Sequence, residues 1–436
     1  MADNFCDISF FEKLRVYSEE YHQCCRYLVR CEPPDCPLTK KLYSKLIASS
    51  HLVEDFLDFH GAKNNKKWYF YRELSASVRH LSISGFIQEH ISNRLVFYEL
   101  LNKTPFAEEG ERTRSFISQL IVNLAQAVVT EAEKLGIPVA TPDFRTEDFP
   151  SVITSEVLEF DIDDERPVQQ QQNIVKVTSE FLNIAKEFEH YGIYEQCGRE
   201  AMEAMVPERI NEVEIRRFEM LMHNLQSSFD TYVIYGGLRF GDRKLKQLRS
   251  YFSIVYHLFD FTGKLLHFYE RHYYVTRDAQ KPIYREVHDH LFSLIDAGEL
   301  LDRIVNYGIY YAFQFLSDGK RLAQEILNEN IERGSIEVGI PMDLGFHSRP
   351  SLLVAKITQH YGGEVNLCVG EDKFDASSVL DIQWAGGKID KEKIKQVVFE
   401  GDVRALRDIA ILASVNYGED TMGKGVPLPR ELDYLK

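Results

Sequence analysis

For about 330 residues the apolar side chains of this chain keep helical spacing, and then they stop. Ile8, Phe11, Leu14 and Tyr17, followed by Tyr21, Cys24 and Leu28, predict a first helix broken at Glu32-Pro33-Pro34. Further helices are predicted over residues 39–59, 66–101 and 108–135, the last stopped by Gly136 with Pro138 just beyond. Four prolines (Pro138, Pro142, Pro150, Pro167) and an acidic run over 161–165 predict an irregular connector. The glutamine run 169–172 reads as an exposed helix start. Helical spacing resumes over 174–191, 208–232, 243–274 and 281–332, with a turn marked by Gly236-Gly237 and Phe240-Gly241. The Tyr- and Phe-rich 243–274 stretch points to a large helix-packed core.

At Glu332-Arg333-Gly334-Ser335 the period changes to two. Residues 336–340 alternate, and 348–361 are helix-periodic until Gly362-Gly363. Residues 364–369 alternate again, with Val365, Leu367 and Val369 on one face. A turn at 370–372, a short strand at 373–375, a short helix over 378–384 ended by Gly386-Gly387, a strand over 394–399, a turn at 400–402 and an amphipathic helix over 403–415 complete the order β-α-β-β-α-β-α. That order predicts an α+β domain: a four-stranded, largely antiparallel sheet with three helices on one face, an open-faced sandwich.

A chain of 436 residues exceeds one ordinary core, so several domains are expected. The expected division is a helical domain at 1–135, the Pro/acidic connector at 136–172, and a second helical region at 173–334, separate from or continuous with the first. The α+β domain at 335–418 and a tail at 419–436 follow. A net charge of −16 argues against general binding to nucleic acid or anionic membranes. No run of about 18 uninterrupted apolar residues is present, so membrane insertion is not expected. The start lacks a basic and apolar leader, which makes the cytoplasm the expected compartment. The odd number of cysteines, seven, then reads as reduced thiols.

The chemistry concentrates at Gly339–Pro350, GIPMDLGFHSRP. His347 sits between the first strand and the first helix of the α+β domain, with Gly345 before it and Ser348, Arg349 and Pro350 after it. A neutral imidazole is a nucleophile toward activated phosphorus, and an imidazole of ordinary pKa, about 6.5, is largely neutral near pH 7. If His347 caps the helix, the free N–H groups of the first turn and the helix dipole, about half a positive charge, meet an incoming anion. Arg349 adds a permanent forked cation. Pro350 suits a first turn, where no N–H is needed.

On these residues the region 335–418 resembles HPr, the histidine phosphocarrier of the bacterial phosphoenolpyruvate–sugar phosphotransferase system. Gly345-Phe346-His347-Ser348-Arg349-Pro350 corresponds to the family's Gly-aliphatic-His-(Thr/Ser/Ala)-Arg-Pro signature. Ala376-Ser377-Ser378-Val379-Leu380 corresponds to the segment where some members carry a regulatory phosphoserine, which falls on Ser378. The resemblance covers the last quarter of the chain. It implies phosphorylation of His347 on Nδ1 by an enzyme I-like phosphodonor, with Arg349 stabilising the phosphate and Gly345, Ser348 and Pro350 shaping the loop. It further implies transfer to another protein, docking through Leu352, Val379, Leu380, Gln383 and Trp384, and modification of Ser378 by an HPr kinase. Phe346 replaces the family's smaller aliphatic residue, and Asp381 and Gln359 stand where many members carry lysine. Fewer cations would weaken docking onto an acidic partner. Independently of the family, Ser378 reads as a helix N-cap with Asp381 three residues on.

Other constellations carry less. Cys24, Cys25, Cys31 and Cys36 lie near His22 but form no paired C-x-x-C set, so they read as free thiols. Glu19-x-x-His22 and Glu187-x-x-His190 arise at chance frequency in a glutamate-rich chain with 14 histidines. His288-Asp289-His290 reads as a solvated helix face. No phosphate-binding P-loop, dinucleotide fingerprint or nucleophile elbow appears, and no metal or other cofactor is expected. The expected function is a cytoplasmic bacterial phosphocarrier or phosphorylation-dependent regulator acting through His347, its phosphoacceptor or regulated target unnamed by the sequence. The alternative is an interaction or scaffold protein that uses the α+β domain as a docking surface.

Overall fold

The computed structural model describes residues 9–30, 38–139, 144–151, 158, 170–234, 243–277, 280–342, 344–420, 422 and 424–435. Cys31, Cys36, Pro142, the acidic run 161–165, Pro167, Gln169 and the glycine turn at 236–241 lie outside the described residues. The chain forms two compact units. The first comprises Met1–Asp161, Phe188–His223 and Ser250–Leu316, and the second Ile162–Glu187, Asn224–Arg249 and Ser317–Lys436.

The first unit opens with four long helices, α1 (Phe10–Arg30), α2 (Lys40–Phe59), α3 (Tyr69–Leu95) and α4 (Lys103–Leu135). Each packs on the next and α4 returns to α1, which closes a bundle. Thr39 caps α2 by accepting from the Leu42 N–H. Gly136, at φ +80°, ends α4. Most of α3 is buried, including Arg72, Glu73, Gln88 and Glu89. A central helix with that many buried polar groups must satisfy them internally. The Tyr71 hydroxyl does so against Nε2 of His22, on α1, at 2.7 Å.

The helices that follow are α5 (Gln170–Phe188), α6 (Arg199–Met205), α7 (Glu212–Phe229), α8 (Arg243–Phe268), the single turn α9 (Val275–Arg277), α10 (Pro282–Phe292), α11 (Ala297–Asp302) and α12 (Tyr310–Asn330). Gln171 and Gln172 are exposed in the first turn of α5. The continuous helix expected over 281–332 is instead interrupted. After Ser293, Asp296 begins a new helix by accepting from the N–H groups of Gly298 and Glu299 at 2.8 and 3.1 Å. Two π-helical segments, Tyr269–Tyr274 and Arg303–Ile309, follow α8 and α11. No helix among the described residues is long and apolar enough to cross a membrane.

The second unit contains the α+β domain. Its strands are β1 (Arg333–Gly339), β2 (Val365–Val369), β3 (Asp372–Asp375) and β4 (Gln396–Asp402), in the order β1-β4-β2-β3, all antiparallel. Its helices are α13 (Ser348–Tyr361), α14 (Val379–Glu392) and α15 (Val403–Ser414). Ile336, Phe399 and Leu367 pair across three strands and face the same core as Val354, Ile357, Ile382, Ile389 and Ile409. A largely helical N-terminal region plus a C-terminal four-stranded antiparallel sheet packed against helices is therefore the architecture.

Three local expectations change. Gly401 lies inside β4 rather than in a turn. At φ +145° it lets β4 cross β2 where a Cβ would sit 2.1 Å from the Glu364 carbonyl oxygen. Helix α14 runs through Gly386-Gly387 instead of stopping there, because Gly386 packs where a Cβ would meet the Phe346 carbonyl at 3.1 Å. The chain after Gly418, expected as a tail outside the domain, packs Leu432 and Leu435 into the domain core.

Helix α5 and the end of α12 also brace this domain. Ser179 donates to the Tyr361 carbonyl at 3.1 Å, Lys186 to Gln359 at 2.9 Å, and Asn328 accepts from the Glu364 N–H at 3.1 Å.

Candidate functional site

His347 is the N-cap of α13, with an extended backbone (φ −82°, ψ −167°). Its N–H donates to the Gly345 carbonyl at 2.8 Å, a tight turn that Gly345 permits at φ +60°. Its own carbonyl accepts from the Ser351 N–H at 3.1 Å. The Ser351 hydroxyl donates to the Phe346 carbonyl at 3.1 Å and pins the loop from below. Pro350 is buried in the first turn. The Ser348 and Arg349 N–H groups, first in the helix, have no hydrogen-bond partner among the described residues. Two free donors and the positive end of a helix thus surround an imidazole that is about one-third exposed.

Phe346, the departure from the family pattern, is a core residue. Its ring meets Tyr417 edge-on at 5.2 Å and Phe399 at 6.3 Å.

The unexpected member is Glu419. Its carboxylate, 1% exposed, places Oε2 3.0 Å from His347 Nε2 and Oε1 3.9 Å from the Arg349 guanidinium. Among the described residues Oε1 has no hydrogen-bond partner. Three successive left-handed residues, Asn416, Tyr417 and Gly418 (φ 49°, 55° and 78°), fold the chain back to deliver it. The Tyr417 hydroxyl donates to the Gly339 carbonyl at 2.7 Å, and the Asn416 amide caps Glu419 at 3.2 Å. Glu419 then bridges to Gly425, whose Cα lies so near Arg349 that a Cβ would come within 2.7 Å of the guanidinium.

A carboxylate accepting at Nε2 keeps the proton on that nitrogen, so a neutral ring carries its lone pair on Nδ1. The site can therefore present a nucleophilic Nδ1 next to two free N–H donors and an arginine.

Leu352, Leu380 and Trp384 are 45%, 63% and 69% exposed, an apolar patch on adjoining α13 and α14. Gln383 donates to the Ser348 hydroxyl at 3.4 Å and ties that patch to the loop. Val379 is half-buried and packs on the core instead. Ser378 caps α14, its hydroxyl accepting from the Asp381 N–H at 3.2 Å. It stands beside the far end of α13, where Gln359 donates to the Ser377 carbonyl, about 18 Å along the helix from His347. Replacing Ser378 with alanine is expected to lower stability by about 1 kcal/mol through loss of the cap, checked by urea denaturation.

Elsewhere, Cys24 and Cys25 are buried free thiols, and burial pushes Cys24 up to about 12 and Cys25 up as well, which leaves them unreactive. His288 is buried against Tyr273 and Phe292 and bonds Thr276 at 2.9 Å, so only His290 of that pair is solvated. Among the described residues no group of His, Cys, Asp and Glu is arranged to hold a metal ion. No protein-family model, curated protein or solved structure matches the chain.

Proposed function

We propose that the C-terminal domain is an HPr-type phosphoacceptor. His347 takes a phosphoryl group on Nδ1 from an enzyme I-like donor in the bacterial cytoplasm. It then passes that group to a second protein, or signals its phosphorylation state to one. The observation that carries this reading is the pairing of Nε2 with Glu419, at 3.0 Å, on a histidine that caps a helix with two free N–H groups. In the transfer, the Nδ1 lone pair forms the new N–P bond while the bond from phosphorus to the donor's leaving nitrogen breaks. The electron pair returns to the donor, and the His347 proton stays on Nε2 against Glu419. The phosphoryl oxygens meet the Ser348 and Arg349 N–H groups and the Arg349 side chain. Support also comes from the strand–helix order around the sheet and from the exposed Leu352, Leu380 and Trp384 beside the loop, which suit a protein partner.

The test is incubation with labelled phosphoenolpyruvate and enzyme I. The expected result is one acid-labile phosphate per chain on the peptide containing His347, and none in His347→Ala. The exposed Trp384 also favours a second reading, a scaffold that docks partners without transfer. Absence of label from every donor, with partner binding unchanged in His347→Ala, would select that reading and retire the first.

A further inference from the structure

The first unit holds a cavity of about 760 Å³ that the phosphoacceptor reading does not use. Its floor is a chain of paired charges. The Arg72 guanidinium donates to both oxygens of Asp58 at 2.8 and 2.7 Å, to Glu54 at 2.9 Å and to Glu73 at 2.9 Å. The second oxygen of Glu73 lies 2.7 Å from His272 Nδ1, and both side chains are 8% exposed. His272 reaches this place from the π-helical segment Tyr269–Tyr274, a departure from regular helix of the kind that accompanies functional side chains. Its ring stacks on Phe268 at 5.0 Å. The Glu73 carboxylate keeps a proton on Nδ1, so the other ring nitrogen is left for a ligand. Among the described residues Nε2 of His272 has no hydrogen-bond partner.

Two more histidines line the same space. The His80 ring lies 4.6 Å from that of His267 and 5.7 Å from that of His272. Burial, with His272 and His267 close by, pushes His80 down to about 2. Burial also lowers His267, against its 2.9 Å bond to Glu212. These two rings are therefore neutral hydrogen-bonding groups near pH 7. Charge available to a ligand comes from the mouth, where Lys63 and Arg271 are 55% and 64% exposed. Each also meets a carboxylate that is held more closely by other groups: Lys63 is 3.4 Å from Asp58, which Arg72 binds through both oxygens, and Arg271 is 3.8 Å from Glu212, which Arg216 and His267 hold at 2.8 and 2.9 Å.

The geometry points to a binding site for a small organic anion, a phosphate- or carboxylate-bearing hydroxy compound. Its anionic end meets Lys63 and Arg271 at the mouth, and its hydroxyl hydrogen-bonds Nε2 of His272 inside. This site is independent of His347, so either can fail without the other.

The test uses the full chain with isotope-labelled histidine rings. Inorganic phosphate, glycerol 3-phosphate and glycerate are titrated separately, with sodium chloride at matched ionic strength as reference. The expected result is saturable movement of the His272, His80 and His267 ring signals with at least one organic anion, the phosphate and carboxylate arms identifying the preferred group. Affinity is expected to fall about 10-fold or more in Arg271→Ala, an exposed position whose loss leaves the fold intact. The proposal is overturned by no saturable shift with either organic anion, by shifts that chloride or inorganic phosphate reproduces, or by affinity unchanged from the wild type in both Arg271→Ala and Lys63→Ala.

Discussion

Replacing Glu419 with alanine is expected to slow phosphorylation of His347 by about 10–100-fold while leaving the domain folded, the usual size of losing a carboxylate that orients a working histidine. The cause is the tautomer. In the wild type, Glu419 Oε2 sits 3.0 Å from Nε2 and requires a proton there, which leaves Nδ1 as the nucleophile. Without the carboxylate the ring populates both tautomers and loses its fixed orientation. Glu419→Gln separates charge from geometry. An amide that presents its oxygen preserves the Nε2–H form, and one that presents its nitrogen reverses it and protonates Nδ1. Two measurements decide the matter: the initial rate of label uptake, and the imidazole nitrogen chemical shifts. The wild type should show a protonated Nε2 and a bare Nδ1, and Glu419→Ala a mixture. Unchanged rate together with unchanged nitrogen shifts would remove Glu419 from the site, leaving it as a buried carboxylate with one unpartnered oxygen.

The contrast between His347 and Glu419 shows where sequence reading stops. His347, Ser348, Arg349 and Pro350 are adjacent in the chain, and one helix start holds them together. Their chemistry was legible because short-range geometry fixes it. Glu419 lies 72 residues away and arrives through three consecutive left-handed residues. Asn and Gly are ordinary in that conformation, but Tyr417 is not, and its buried ring and its bond to Gly339 help hold it there. The weak signal was the Asn416-Tyr417-Gly418 turn just before an acidic residue. The glycine pair in α14 misled for a different reason. Gly386 lowers helix propensity, yet its lack of a side chain is what admits the Phe346 backbone, so packing overrides propensity. The long helices were legible from periodicity alone, with the exception of the break before Asp296, where a single cap competes with a helical pattern on both sides. The buried charges of α2 and α3 were not legible at all. Composition counts Arg72, Glu73 and Glu54 as polar and cannot tell a solvated charge from a paired one.

Those buried charges support the largest expected loss of stability. Arg72→Ala is expected to destabilise the first unit by about 3–5 kcal/mol, because it removes one cation from three carboxylates instead of deleting a balanced pair. Arg72 is 6% exposed on its side chain, and Glu54 and Glu73 are similarly buried at 7% and 8%. Each carboxylate keeps one other partner: Arg79 for Glu54, Lys63 for Asp58 and His272 for Glu73. Those partners prevent collapse but cannot replace a guanidinium that bonds all three. The pH dependence follows from the same groups. Burial, the largest influence, pushes Glu73 up, but the bond to His272 and the charges of His272 and Arg72 hold it below the usual carboxylate range. Burial acts on Asp58 in the same way, and its bond to Arg72 likewise holds it low. Carboxyls with depressed folded-state values contribute stability above their unfolded values, about 4, and lose it as pH falls through the folded ones. In Arg72→Ala the depression weakens and burial dominates. The gap between the two proteins should therefore be full at pH 7, begin to shrink as the pH falls through the variant's burial-raised carboxyl values, above about 4, and go on shrinking through the depressed values of the wild type. Urea denaturation of both proteins at pH 7 and at progressively lower pH measures it. A gap below about 1 kcal/mol at pH 7, the range of a surface ion pair, would mean that water reaches this network and that Arg72 does not hold it together.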